Sequence, residues 1–471
     1  MFKYADPILS EFSNCFSYRA TYYWFVVIIS GFIIRFDHNG VSSFVRYLFL
    51  EPKQYDLLLH FFRTESWSLT VLTGQWIRVA LSHFPATEFN GRILLIGDGI
   101  KVSKEAKKMP GVKKLHQDSE NSGKGEYIFG HYFNFVGILT GCARKLFCLP
   151  LQGRIHEGID GVHNDEGIGK YQPSIVTRMA RLIVQTAIIT GRLSYVAVDR
   201  YFATAPMFLI LKESVNEKGE QLVHVITHAK KNYVGYFDRL FADNRFDKED
   251  KVPLNDWFDY PELFETVKLN ICGQVKEVEC FCIDLLWSPI KDFVRFVCVK
   301  DGDREYILMC SDLTLPADLI ITIYIYRSKI ETMFLTLKHL LGGFSYHFWT
   351  EVWSRLTLGE QPCFSELTRY QKEKITQAIE AVERFVILAC IALGILEYIC
   401  LNHASEIWGK YTGWIRTRST GIPSEGVAQS VMQVEFFTSL DKVPNSDTLR
   451  ILQQKRRKCL IIGAPPYQAA T

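Results

Sequence analysis

Two apolar segments that each end in an aspartate constrain the fold more than any other feature of the chain. "RILLIGD" at residues 92–98 and "SYVAVD" at residues 194–199 place Asp98 and Asp199 directly after continuous apolar runs. Such runs are typical of strands that are buried on both faces of a sheet. Because an unpaired buried carboxylate is costly, we expect both acids to have a partner where these strands end.

The segments around the two strands predict a mixed α/β fold. Residues 173–190, between the strands, have the 3.6-residue period of a helix, and this alternation of element types indicates an α/β or α+β core. We predict a helical N-terminal region at 1–88, a core at 89–345 with an all-β insertion at about 235–313, and a helical C-terminal region at 346–471. The insertion is inferred from strand-like segments separated by Pro, Gly and Asp turns.

The composition predicts a large core and argues against zinc and a membrane. Apolar residues make up 48% of the 471-residue chain, which excludes a disordered protein. Its twelve cysteines contain no CxxC pair, so we expect reduced thiols in a cytoplasmic protein. The two longest apolar runs, about 15 residues after Arg19 and 12 after Arg384, are shorter than the ~20 residues of a membrane-spanning helix. The net charge of +3 neither supports nor excludes a nucleic-acid partner.

One predicted helix carries an unusual polar stripe. In "YIYRSKIETMFLTLK" at residues 324–338, a continuous helix places Tyr324, Arg327, Glu331 and Lys338 along one line beside its apolar face. An ion pair between Arg327 and Glu331 would contribute only ~0.3 kcal/mol to helix stability. It would not explain the positions of the tyrosine and the lysine. A row of DNA phosphates along the helix would explain the whole stripe, since arginine, lysine and tyrosine all donate to phosphate oxygens.

Three acids in the chain have the chemistry of a magnesium site. Asp98 and Asp199 end strands, and Glu331 would face them from the helix. Carboxylate oxygens are the ligands that Mg²⁺ prefers, and Mn²⁺ is a possible substitute. Two such ions about 4 Å apart support phosphodiester chemistry. Taken alone, each aspartate is better explained as a cap of the following helix; together with the helix stripe, the metal site becomes the favoured interpretation.

Basic residues follow the candidate acids along the chain. The segment 101–114 has six lysines against one glutamate, immediately after Asp98. A lysine run is usually a solvated surface, but cations beside each acid also provide places to hold phosphates. The residues that we predict to bind DNA in this way are Lys101, Lys104, Arg200, Lys230 and Lys231.

These residues together resemble the insertion-sequence transposases of the DDE superfamily. More narrowly, the chain is similar to the cut-and-paste group with the Y-x2-R-x3-E-x6-K signature, which Tyr324, Arg327, Glu331 and Lys338 match at every fixed position. The signature follows two acid-tipped strands, in the family's order. The segment from Ser311 to Glu331 is also similar to the family's approach to this helix.

The resemblance implies a fold, an activity and partners. It implies a ribonuclease-H-like catalytic core, an N-terminal DNA-binding region and a β-rich insertion between Asp199 and Glu331. Asp98, Asp199 and Glu331 would bind two Mg²⁺ ions that serve cleavage at the ends of a DNA element. A hairpin intermediate and strand transfer of the 3′-hydroxyl ends would follow. The substrates would be double-stranded terminal inverted repeats and target DNA. The protein would act as a homodimer on DNA, with the C-terminal region available for dimer or DNA contacts, in the cytoplasm at the nucleoid.

The chain departs from the family pattern at two positions, and two other functions stay open. Ser328 stands where relatives often have an aromatic residue, and His228 where a basic arginine is frequent. One alternative is a ribonuclease-H-like nuclease that cleaves but does not join ends. The other is a DNA-binding protein that is derived from a transposase and has lost catalysis. The presence of all three acids argues against a protein that has lost catalysis. Tyr324 and Lys338 argue against a simple nuclease, which needs neither of them.

Overall fold

The fold is mixed α/β, which confirms that part of the prediction. The computed structural model describes residues 1–117, 125–142, 145–156, 171–230, 232–237, 251–353, 364–416, 421–440 and 442–457. It is 46% helical and 26% strand, with a mixed sheet. The strands are β1 (Glu88–Phe89), β2 (Arg92–Ser103), β3 (Lys113–His116), β4 (Tyr127–Cys142), β5 (Lys145–Ile155), β6 (Ser194–Val198), β7 (Val223–His228), β8 (Val234–Tyr236), β9 (Lys251–Pro253), β10 (Glu265–Ile271), β11 (Gln274–Trp287), β12 (Asp292–Asp301) and β13 (Arg304–Cys310).

Helices cluster at both ends of the chain and connect the central strands. The helices are α1 (Phe2–Ser10), α2 (Arg19–Ile34), α3 (Ser42–Tyr47), α4 (Gln54–Arg63), α5 (Leu69–His83), α6 (Ile175–Thr190), α7 (Ala205–Glu213), α8 (Ala317–Tyr326), α9 (Lys329–Leu335), α10 (Arg369–Asn402), α11 (Ala404–Lys410), α12 (Glu425–Thr438) and α13 (Asp447–Lys455). Short 3-10 helices are formed by Ser13–Cys15, Arg200–Phe202, Leu254–Asp259, Pro261–Leu263 and Phe364–Glu366, and Thr336–Leu340 is a π-helical turn.

The centre of the sheet combines antiparallel and parallel pairing. Strands β5, β4 and β2 pair antiparallel in that order, and β6 and β7 then follow β2 as parallel neighbours. Helix α6 connects β5 to β6. It begins at a capping box in which Ser174 and Thr177 satisfy each other's backbone amides, and ends at Gly191, whose φ of 63° suits glycine. Because parallel neighbours need such a crossover, α6 and α7 lie in sequence between the strands that they connect.

The segment predicted as a β-insertion continues the same sheet. Strands β10 to β13 form an antiparallel meander, and β13 pairs with β7 through Leu308↔His228, Met309↔Thr227 and Cys310↔Ile226. Two 3-10 helices, Leu254–Asp259 and Pro261–Leu263, lie between β9 and β10, so the predicted insertion is rich in strands but not entirely strand. Residues 238–250 lie outside the described part of the chain.

The N-terminal and C-terminal helices pack on each other and on the sheet. Helix α10 contacts α2, α4, α5 and strand β5. The buried Arg384 of α10 donates to the carbonyl oxygens of Phe62 and Thr64, at 3.1 Å and 2.6 Å. One hydrophobic core therefore runs across the boundaries predicted at residues 88 and 345.

The most apolar helix serves as a core helix. In the part of the chain that the structure describes, α10 alone is long and apolar enough to cross a membrane, with a mean hydropathy of 2.2 over its most apolar 18 residues. That stretch is 83% buried inside the protein. Its length exceeds what the apolar run after Arg384 predicts, because polar turns at both ends continue the helix. The shorter α2 is likewise buried throughout Trp24–Ile34.

Candidate active site

The sheet register brings the two predicted aspartates side by side. The last parallel pair between β2 and β6 is Gly97↔Val198, so Asp98 and Asp199 each follow that pair by one residue. The prediction that Asp98 ends its strand is wrong, because antiparallel pairing with β4 continues β2 to Ser103. The two acids therefore occupy equivalent positions where parallel pairing stops.

Helix capping does not account for either aspartate. Asp199 precedes the 3-10 helix Arg200–Phe202, but its side chain makes no capping hydrogen bond there. Asp98 is followed by further strand, and its carboxylate accepts a hydrogen bond from the Gly99 amide at 2.7 Å. The alternative interpretation, in which each aspartate caps the following helix, is therefore not what the fold shows.

All three predicted acids contact the guanidinium of Arg327. Nη2 lies 3.3 Å from Asp98 Oδ2 and 3.2 Å from Asp199 Oδ1, and Nη1 lies 2.9 Å from Glu331 Oε1. The two aspartate oxygens share one nitrogen, so they are at most 6.5 Å apart, the sum of those two distances. Residues that are far apart in sequence thus converge on one cation.

The guanidinium neutralises the acid cluster only in part. Three carboxylates around one guanidinium leave a formal charge of −2. Burial raises the pKa of Asp98 to about 6, although Arg327 and the Gly99 amide favour its ionised form. Burial lowers the pKa of Arg327, but the surrounding acids outweigh it and keep that pKa above its usual value. Arg327 Nε is buried and has no hydrogen-bond partner in the part of the chain that the structure describes.

The signature helix is not one straight α-helix. It is divided into α8, α9 and the π-helical turn Thr336–Leu340. Between the two α-helices, the amides of Arg327 and Glu331 bond to carbonyls only three residues back, at 3.1 Å each. This tighter winding changes the angles that a uniform helix predicts. Lys338 lies on the π-helical turn, exposed and outside the ion-pair cluster, while Tyr324 is half-buried nearby.

The donor chemistry fits Mg²⁺, but the present arrangement is built around an arginine. Asp98, Asp199 and Glu331 supply only carboxylate oxygens, the ligand type that hard divalent cations prefer. Within the described ranges, however, no three acidic, histidine or cysteine side chains are grouped closely enough to hold a metal ion. The carboxylates surround the guanidinium, which takes the position of the counter-charge.

Lys104, predicted to bind DNA, is instead buried in the core. Its ammonium donates to the carbonyl oxygens of Phe344 and Tyr346, at 2.5 Å and 3.0 Å, and lies 3.8 Å from the Tyr346 ring centroid. Burial lowers the pKa of Lys104 to about 8. This lysine therefore holds the segment after the signature helix and does not face a phosphate.

The other predicted cations remain on the surface or lie outside the described residues. Lys101 Nζ donates to the His116 carbonyl at 2.7 Å. Arg200 is exposed directly beside Asp199, and Lys230 is half-buried near the Tyr233 ring. Lys231 falls outside the described part of the chain.

A cavity beside the cluster contains Tyr306, which the sequence did not single out, next to His228 and Tyr324. It has a volume of about 790 Å³ and is lined by residues of β11–β13 and α8, together with Arg327. The ring of His228 stacks on Tyr306 at 5.9 Å and contacts Tyr324 at 6.1 Å between centroids. The pairing of β13 with β7 places Tyr306 here, and no local sequence pattern marks that pairing.

No protein-family model matches the chain, and no curated protein is significantly similar to it.

Proposed function

We propose that the protein is a DDE-type DNA transposase that cleaves the ends of a mobile element and transfers the 3′ ends into target DNA. The observation that carries the proposal is the convergence of Asp98, Asp199 and Glu331 on one guanidinium. A structural ion pair needs one acid, whereas three carboxylates from three elements supply oxygen ligands of the kind that a two-metal phosphodiester site uses.

The sheet supports a ribonuclease-H-like core. Three antiparallel strands, β5, β4 and β2, are followed by two parallel strands, β6 and β7, with a helix in each crossover. This is the arrangement that the resemblance implies for such a core. The meander β10–β13 enters between Asp199 and Glu331 and extends the sheet beyond β7, as an insertion at that point would.

Each side chain of the cluster has a role in this proposal. Asp98, Asp199 and Glu331 would hold Mg²⁺, or Mn²⁺ in its place, which would supply activation of the attacking hydroxyl and stabilisation of the leaving oxygen. Tyr324 keeps its proton, because burial raises its pKa to about 12, and it can donate a hydrogen bond to a phosphate. Exposed Lys338 and Arg200 and half-buried Lys101 provide positive charge for the DNA backbone.

Replacement of Glu331 by alanine tests the site assignment. We expect Glu331→Ala to abolish Mg²⁺-dependent cleavage of a plasmid that carries the DNA flanking the gene, while binding of that DNA is largely retained. Glu217→Ala, a change of an exposed glutamate on a remote turn, serves as the matched control and should keep both activities. Normal cleavage by Glu331→Ala would show that the site is assigned incorrectly.

A further inference from the structure

The contacts of Arg327 are incompatible with a simple phosphate clamp. A guanidinium grips phosphate by presenting a fork of donors. In this structure both terminal nitrogens of the fork are occupied: Nη1 by Glu331, and Nη2 by Asp98 and Asp199. Arg327 therefore has to give up carboxylate contacts before it can hold a phosphate through both of these nitrogens.

The same oxygens are the ones that a divalent cation would use. A metal ion and a guanidinium cannot both occupy the space between the three carboxylates, and their like charges repel at such short range. The side chains of Arg327 and Asp98 are only 13% and 18% exposed, so water screens this pair less than it screens Asp199 and Glu331, which are 42% and 61% exposed. Arg327 and a metal ion are thus alternative counter-charges for one acid cluster.

The present position of Arg327 also leaves a polar atom unsatisfied. Its Nε is buried without an acceptor among the described residues, and leaving a buried donor unsatisfied is destabilising. Arg327 and Tyr324 line the neighbouring 790 Å³ cavity together with the cations Lys276 and Arg304 and the acids Asp301, Asp303 and Glu305, and Lys276 pairs with Asp301. A phosphate on that side would offer the guanidinium acceptor oxygens that its present position does not provide.

We propose that Arg327 is an internal counter-cation that keeps divalent metal from the three carboxylates until a DNA phosphate draws its guanidinium away. Metal binding then depends on DNA, and by thermodynamic reciprocity DNA binding is strengthened by metal to the same extent. Free protein is held in a state with little affinity for metal. The inference rests on the proposed function, because it assumes that the carboxylates bind metal and that the substrate carries phosphates.

Titration of the full-length protein with Mn²⁺ in the absence of DNA tests the inference directly. Free Mn²⁺ is followed by electron paramagnetic resonance, which does not depend on catalysis. We expect Arg327→Ala to bind Mn²⁺ about tenfold more tightly than wild type, because a positive charge in contact with the ligand oxygens has been removed. Arg327→Lys keeps the positive charge but lacks the two guanidinium donors, so its Mn²⁺ affinity should lie between those of wild type and Arg327→Ala. This variant replaces Arg327→Ala in the titration if the alanine variant folds poorly.

Arg369→Ala is the matched control. It removes a positive charge from a side chain that is 94% exposed and pairs with Glu373, outside the ion-pair cluster of Arg327. We expect its Mn²⁺ affinity to change less than about twofold, since exposed charges are strongly screened. An equal increase in Arg369→Ala and Arg327→Ala would reduce the effect to general charge and overturn the inference.

A second titration includes a 30-base-pair duplex from the DNA flanking the gene, with Mn²⁺ binding by the duplex alone subtracted. The duplex should raise the Mn²⁺ affinity of the wild type and add little to that of Arg327→Ala. If Asp98→Asn lowers Mn²⁺ binding but Arg327→Ala leaves it unchanged, the counter-cation inference fails and the metal site stands. If neither wild type nor Arg327→Ala binds Mn²⁺ at millimolar concentration, the proposed function fails as well.

Discussion

Asp98 is the residue at which the requirements of folding and of the proposed chemistry conflict. Its carboxylate is mostly buried in a strand, and burial raises its pKa to about 6. An unfolded aspartate ionises near pH 4. Between about pH 4 and pH 6, Asp98 therefore holds its proton in the folded chain but has lost it in the unfolded chain. Stability therefore decreases as the pH rises through this window and is lowest, as far as Asp98 contributes, above pH 6.

Replacement of Asp98 by asparagine should stabilise the protein at neutral pH. The raised pKa corresponds to a cost of ~3 kcal/mol for the ionised carboxylate, which the neutral amide avoids. We expect Asp98→Asn to have the higher free energy of unfolding at pH 7, measured with urea, and to lose this advantage near pH 4. Asp256→Asn, at an exposed position, should show no such pH dependence. A less stable Asp98→Asn at pH 7 would contradict the burial argument.

Lys104 should contribute to the stability of the fold and not to DNA binding, whereas a lysine in a basic surface run is predicted to do the reverse. Loss of the buried ammonium leaves two carbonyls without a donor, so Lys104→Ala should cost ~2 kcal/mol in the free energy of unfolding. Its DNA affinity should change no more than that of Lys108→Ala, whose position is exposed. Thermal unfolding and fluorescence anisotropy with a labelled duplex measure the two effects. A large loss of affinity with normal stability would restore Lys104 to the DNA surface.

At the scale of elements, the sequence predicted which strands and helix carry the acids but not how they meet. Apolar runs mark β2 and β6, and the period of 173–190 marks α6, because these signals are local. The division of the signature helix into α8, α9 and a π-helical turn depends on packing against other elements. A uniform helix therefore placed Lys338 on the same line as Arg327, and no local pattern showed that Arg327 contacts all three acids.

Lys338, on the π-helical turn, is predicted to bind DNA through charge alone. We expect Lys338→Ala to weaken duplex binding and to reduce the slope of log affinity against log salt by about 1, which corresponds to one phosphate contact. Lys218→Ala, an exposed lysine on the remote turn 214–221, is the control. An unchanged salt slope in Lys338→Ala would remove this residue from the DNA-binding surface.

For the whole molecule, the terminal regions cannot be separated from the core as cleanly as the predicted boundaries suggest. The buried Arg35 of the N-terminal region donates to the carbonyl oxygens of Leu341 and Gly342, at 2.5 Å and 2.9 Å, directly after the π-helical turn. Contacts over such sequence separations leave no local pattern, which is why composition and periodicity could not reveal them. The N-terminal region is therefore part of the support of the site.

Replacement of Arg35 should disturb the whole fold. We expect Arg35→Met to lower the free energy of unfolding by ~3 kcal/mol or more, because several buried carbonyls lose a charged donor together. Arg369→Met is the control, since its side chain is 94% exposed and its loss should cost less than ~0.5 kcal/mol. Equal stability of the two variants in urea would show that the N-terminal helices pack independently of the signature helix.

The most direct test of the proposed function is the detection of strand transfer. Purified protein, Mg²⁺, a duplex from the DNA flanking the gene with a free 3′-hydroxyl end, and a supercoiled plasmid are incubated together. We predict covalent joining of the 3′ end to the plasmid, and its absence with Asp199→Asn or Glu331→Ala. Cleavage without any joined product would identify a nuclease and contradict the transposase assignment.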